Sequence, residues 1–386
     1  MAKSWKTQLI HSDVKAPGGY RSLSSPLFRG STTLFSDAAS VNDTWDQYEA
    51  GYTYGLYGTP TTLELAGKIC ELEKGYRTII TPGGQGAISL INLALLKAGD
   101  HILIPENVYT PNRKLAGLVL RRFGVDATFY PPETGGGIRE LLRDNTRLVW
   151  CENPGSITME VQDVRAIVEA AHARGVRVAL DNTWSAGIYF DAFAHGIDIT
   201  MQALTKYVAG HSDVLLGSVT VKDPALYQKL GATHQLLGYA ASPDDCSLAL
   251  RGMRSMAVRL KQIEDSALRI ARWLAGRPPI ERVLYPPLEG SPGHDLWERD
   301  FSGAAGIFSI VFQPQITKEK VLRFVDGLEL FEIGYSWGGV TSLALAYDFH
   351  GAKGRPDYGH RIVRLNIGLE DAEDLLQDLD RGLRRI

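Results

Sequence analysis

The stretch "RTIITPGGQGAISLINLALL", residues 77–96, decides the fold class. Its first five residues form a short β-branched run of strand character. Pro-Gly-Gly then breaks the chain, and the apolar residues that follow suit a helix. Outward from this unit the same alternation repeats. Further β-rich runs are "HILIP" (101–105), "DATFY" (126–130), "RLVWC" (147–151), "VRVALD" (176–181), "DITMQ" (198–202) and "LGSVTV" (216–221). Helical patterns such as "PNRKLAGLVLRRFG" (111–124) and "VRAIVEAAHARG" (164–175) lie between them. Alternation of this kind implies right-handed crossovers and an α/β fold, with a mainly parallel seven-stranded sheet covered on both faces.

The pattern changes at both ends of this region. Residues 245–276 carry one long helical pattern. Two strand-like runs, "GIFSIVF" and "IVRLNIG", and the amphipathic "DAEDLLQDLDRGLRRI" follow it. They predict a smaller α+β C-terminal domain. The first fifty residues, including "APGGYRSLSSPLFRGST" (16–32), read as a polar, irregular arm. The expected division is therefore an arm over 1–55, a large domain over 56–244 and a small domain over 245–386.

Composition removes several classes of function. A net charge of −3, with Lys and Arg spread along the chain, offers no basic field for nucleic acid. The longest apolar run, "AISLINLALL" (87–96), is too short to span a bilayer, and "MAKSWKTQLIHSD" lacks a signal peptide's apolar core. Three cysteines, odd in number and without CxxC or zinc spacing, suit packing in a reducing cytoplasm. No metal site is expected.

Ligands of open parallel sheets bind beyond the carboxyl ends of the strands, and four segments place distinctive residues there. The glycines at 83, 84 and 86 open a helix, whose outward N–H groups suit a phosphate; a plain tight turn explains them equally well. Tyr109, in "ENVYTPNRK", can stack on a flat ligand or simply face solvent at a turn. Asp181 closes an apolar strand, where a carboxylate is costly without a partner. It can hold a heterocyclic nitrogen protonated or cap the turn that follows. Lys206, in "QALTKYVAGHSDVLLGS", lies 25 residues further on. A surface lysine needs no reason, but an amine of pKa ~10.4 becomes chemically useful when it forms an imine with an aldehyde cofactor. A phosphate cradle, a stacking ring, an acid for a ring nitrogen and an imine lysine are together what pyridoxal phosphate needs. Thr205 and Ser212 add hydroxyls nearby.

"DNTWSAG" followed by "ALTKYVAGHSD" resembles the signature of the Cys/Met-metabolism enzymes that depend on pyridoxal phosphate, and the resemblance runs from about residue 5 to the end. It implies the type I aminotransferase-like fold. Within the family, "ENPGSITMEVQDV" (152–164), "RGMRSMAVR" (251–259) and "YSWGG" (335–339) resemble β-lyases. Ser156 and Trp337 stand where γ-synthases and γ-lyases carry asparagine and leucine. By position, the resemblance makes Lys206 the imine former and Asp181 the partner of the pyridine nitrogen. Gly84, Gln85 and Thr205 would hold the phosphate, and Tyr109 would stack on the ring. Arg364 would grip the substrate α-carboxylate, with Tyr335, Ser336 and Trp337 beside it. Read without the family, Arg364 is an arginine in an apolar strand that needs an anion. Tyr54 matches a tyrosine that the family sends into the neighbouring subunit's site.

Three positions depart from the family pattern. Leu56 replaces a phosphate-binding arginine, Ala203 a phosphate-binding serine and Thr341 a glutamate. The implied reaction is α,β-elimination of an amino-acid thioether, L-cystathionine foremost, in a homotetramer whose paired subunits share sites. The alternatives are a γ-lyase or γ-synthase of the same family and an aminotransferase. A nucleotide-binding regulatory protein is the rival from another class, and the chain lacks GxGxxG and GxxxxGK[ST].

Overall fold

The computed structural model describes residues 4–11, 22–352 and 355–386. Residues 1–3 and 12–21, which belong to the expected arm, and 353–354 lie outside the described residues.

The seven predicted runs become seven strands: β1 (Arg77–Thr81), β2 (His101–Pro105), β3 (Asp126–Tyr130), β4 (Thr146–Glu152), β5 (Arg177–Asp181), β6 (Ile199–Gln202) and β7 (Gly217–Val221). They form one sheet in the order β1-β7-β6-β5-β4-β2-β3. β7 runs antiparallel to both β1 and β6, so the other six strands point one way. Their carboxyl ends therefore share an edge, and the amino end of β7 joins them there.

Side chains alternate across a strand, and this sheet sorts them into two cores. Leu103, Val149, Cys151, Val178 and Leu180 face one side, beside the helices Pro60–Glu73, Val164–His172 and Pro243–Ala275. Ile102, Ile104, Leu148, Trp150 and Ala179 face the other, beside the helices Gly84–Leu95 and Pro224–Leu237. Burial on both faces explains why these strands read as continuous apolar runs.

A second sheet has the order β10-β11-β12-β9-β8, from β8 (Ile280–Leu284), β9 (Ile307–Phe312), β10 (Glu332–Ile333), β11 (Leu343–Phe349) and β12 (Gly359–Asn366). β9 and β12 match the two predicted runs. The other three escaped the sequence reading: β10 has two residues, and "LALAYDF" of β11 carries leucine and alanine, which are good helix formers. Its pairing with β12 outweighs that preference. The first core continues into this sheet through Phe308, Ile310 and Leu365.

Two further expectations need revision. Trp5–Ile10 is a helix capped by Ser4, and its Leu9 is buried against the helices Pro60–Glu73 and Pro243–Ala275, so this part of the arm is packed. Residues 110–123 begin as an α-helix, widen to a π turn over Leu115–Val119 and tighten to a 3-10 turn over Leu120–Phe123. All three cysteines are free thiols, two of them buried. Among the described residues no helix is long and apolar enough to cross a membrane.

Candidate active site

Asp181 is the last residue of β5, directly opposite Glu152 at the end of β4. In-register neighbours on parallel strands project to the same face, so two carboxylates sit side by side. The Oδ1 of Asp181 accepts hydrogen bonds from the Thr183 amide (3.0 Å) and hydroxyl (2.5 Å). Among the described residues its Oδ2 accepts no hydrogen bond. Burial raises the Asp181 pKa, against the pull of Thr183 and the nearby Lys206 amine. Burial first, and then the Asp181 charge, push the Glu152 pKa above the usual carboxylate range. Its two oxygens accept from the Tyr109 amide (2.7 Å) and the Ser156 hydroxyl (2.8 Å). Glu152 was missed from sequence although the signal that exposed Asp181, a carboxylate closing an apolar strand, applies to it equally.

Lys206 follows β6 in a tight turn, with its amide bonded to the Ala203 carbonyl at 3.0 Å. Its Nζ donates to the Ser336 hydroxyl, and the Ser336 carbonyl accepts from Arg364 Nη2 at 3.1 Å. Ser336 holds φ +76°, a left-handed backbone unusual for serine, and so presents both groups at once. Burial, and next the Arg364 cation, bring the Lys206 pKa down to about 8, while Asp181 opposes them. The Trp337 ring lies 5.3 Å from Nζ and packs on Tyr207.

Arg364, on β12, lies 5.3 Å over the Tyr347 ring, and burial lowers its pKa. Tyr347 was also missed, because β11 was not recognised as a strand. Tyr109 and Tyr335 complete the aromatic surroundings that Arg364 feels electrostatically; Tyr335 is 82% exposed.

At the end of β1, Gly83 (φ +95°) turns the chain into the helix Gly84–Leu95. The amides of Gly84 and Gln85, in its first turn, have no backbone acceptor upstream. A Cβ on Gly84 would stand 2.7 Å from the Ala203 side chain, so the turn after β1 and the turn after β6 close on each other. Thr205 is nearby in sequence, but its hydroxyl bonds both backbone groups of Leu216 (3.1 and 3.2 Å). Tyr54 behaves differently. It is 45% exposed, edge-on to Tyr57, and none of its contacts reaches Lys206, Asp181 or Tyr109.

Residues 6–384 match the description "Cys/Met metabolism PLP-dependent enzyme". The chain belongs to that family. It is 38% identical to the cystathionine beta-lyase of Escherichia coli K12, over 100% of this chain and 99% of that one. It is 35% identical to an L-alanine/L-glutamate racemase of Wolbachia pipientis, over 95% of this chain and 93% of that one. The cystathionine gamma synthase of Xanthomonas oryzae superposes with a TM-score of 0.91 at 29% identity, covering 100% of this chain and 99% of that one.

The cofactor of the family is pyridoxal phosphate, and the residues present fit it. A buried carboxylate offers one free oxygen, a close lysine has a lowered pKa, and a glycine-lined helix start presents unpaired amides. Metal-ligand clusters are absent among the described residues.

Proposed function

We propose that the protein is a carbon–sulfur β-lyase that splits L-cystathionine into homocysteine, pyruvate and ammonia. The observation that carries this reading is the bridge Lys206–Ser336–Arg364, which sets a weakly basic amine at a fixed place relative to a carboxylate-binding fork. The full-length likeness to a cystathionine beta-lyase supports the choice of reaction.

When bound, pyridoxal phosphate supplies an electrophilic aldehyde and a ring that takes up electrons. Gly84 and Gln85 would hold its phosphate through their amides, with Thr205 able to help only by giving up a Leu216 bond. Tyr109, its backbone pinned by Glu152, would lie on the ring face. The free oxygen of Asp181 would keep a proton on the ring nitrogen, since a charge pair gains about 4 kcal/mol at ~4 Å and an effective dielectric of 20. Arg364 would clamp the substrate α-carboxylate, with its guanidinium steadied by Tyr347. Lys206, steered by Ser336, would take the proton from Cα and return it to the departing sulfur. Trp337, over the amine, would keep water from it.

Tyr54 is left outside the site of its own chain, which supports its use in a neighbouring subunit and a homotetramer of paired subunits. The unpaired thiols support a cytoplasmic location. The two separate sheets, within 77–221 and 280–366, support a large domain over 56–244 and a small one over 245–386, with residues 1–55 as the arm.

The test is to incubate the cofactor-loaded enzyme with L-cystathionine and identify the product. Pyruvate is expected. 2-Oxobutyrate would assign the chain to the γ-eliminating alternative, and D-alanine formed from L-alanine without pyruvate would align it with its racemase relative.

A further inference from the structure

Arg259 sits on the long helix Pro243–Ala275 and is only 5% exposed. A buried guanidinium normally needs a carboxylate, because desolvating a lone charge is expensive. Among the described residues none pairs with it. Among the same residues its Nη1 has no hydrogen-bond partner, and burial brings its pKa down to about 10.

Two of its hydrogen bonds hold the guanidinium to its own helix, and two reach the turn that carries Lys206. Nη2 donates to the carbonyls of Tyr207 (2.8 Å), Gly252 (2.9 Å) and, more weakly, Val208 (3.5 Å), while Nε donates to the Ser255 hydroxyl (3.1 Å). Tyr207 and Val208 are the two residues immediately after Lys206. The steric evidence agrees. A Cβ on Gly252 would come within 2.2 Å of the Ala209 carbonyl oxygen. Gly210 has φ +76°, and a Cβ there would stand 2.1 Å from Arg259 Nη1. From the other side, a Cβ on Gly338 would be 3.1 Å from Lys206 Cα. The turn is therefore wedged between the long helix and the loop bearing Ser336, with a cation drawing its carbonyls onto the helix.

We propose that Arg259 is a positioning residue, which fixes Lys206 in the site through the carbonyls of Tyr207 and Val208. The buried charge works here as a clamp on backbone dipoles, where a neutral donor would bind more weakly. The inference rests on Lys206 being the cofactor lysine. That premise is checked first in the unaltered protein, by borohydride fixation of cofactor and mapping of the labelled residue; a label elsewhere ends the reading itself.

Arg259→Lys then tests the clamp, since an ammonium cannot span three acceptors as the planar fork does. The expected result is a folded, yellow protein with kcat lowered about tenfold or more and KM within about threefold. The pH midpoint of its visible absorbance, which reads the lysine-bound cofactor, should shift by about half a pH unit or more. A role in stability alone would lower the melting temperature and leave that midpoint in place. Gly252→Ala, which presses on the same turn while leaving the guanidinium in place, should shift the midpoint too. An unchanged midpoint and kcat in either folded variant overturns the proposal. So does failure of both variants to fold, which would assign Arg259 to the core.

Discussion

Lys206 provides a measurable consequence of its surroundings before any substrate is added. Its amine sits near a pKa of about 8, where an ordinary lysine has 10.5. At pH 7.5 the first is about one-quarter neutral and the second neutral in about one molecule per thousand. Only the neutral amine attacks an aldehyde, so Lys206 should capture pyridoxal phosphate roughly 200-fold faster than an unperturbed lysine would. The assay is stopped-flow absorbance on cofactor-free protein across pH 6 to 10.5. The rate should rise about tenfold per pH unit at first and level off above pH ~8. Arg364→Met removes the second-largest cause of the shift, so its plateau should begin at higher pH and its rate at pH 7.5 should fall severalfold. A wild-type rate that still climbs through pH 10 would refute the reasoning, because burial and the Arg364 cation would then not govern the amine.

Other consequences are independent of that one. Lys206→Ala should retain part of its cofactor affinity and lose nearly all pyruvate formation; a full rate in that variant sinks the proposed chemistry. Gly338→Ala places a side chain at φ +82° and within 3.1 Å of Lys206 Cα, so a loss of about 1–2 kcal/mol in stability and a larger loss in kcat are expected from unfolding curves and kinetics. Glu73, buried under the sheet among Thr200 and Thr220, is raised from 4.5 to about 7, chiefly by burial. A carboxyl raised in the folded state contributes stability in full below 4.5 and loses it as pH rises through 7, a change of about 3 kcal/mol. The stability difference between wild type and Glu73→Gln, from urea midpoints, should change by about that much between pH 4 and 8, and a pH-independent difference would rule the linkage out.

Most strands of the large sheet could be read from the chain because they are short apolar runs buried on both faces, whereas the edge strand β3, mostly unburied, was marked by its β-forming residues alone. The residues that close or follow those runs, Asp181 and Lys206, stood out because a charge beside buried apolar strands is expensive and therefore informative. Pairing was beyond that reading. Whether β7 runs with or against its neighbours depends on non-local hydrogen bonds that no local run encodes. The same limit hid Tyr347 beneath Arg364 and Arg259 behind Lys206, since each acquires its meaning only from a partner distant in sequence, whereas Glu152 closes an apolar strand as legibly as Asp181 does. Side-chain type and local period are written along the chain, whereas the environment that shifts a pKa or fixes an amine is a property of the packed fold.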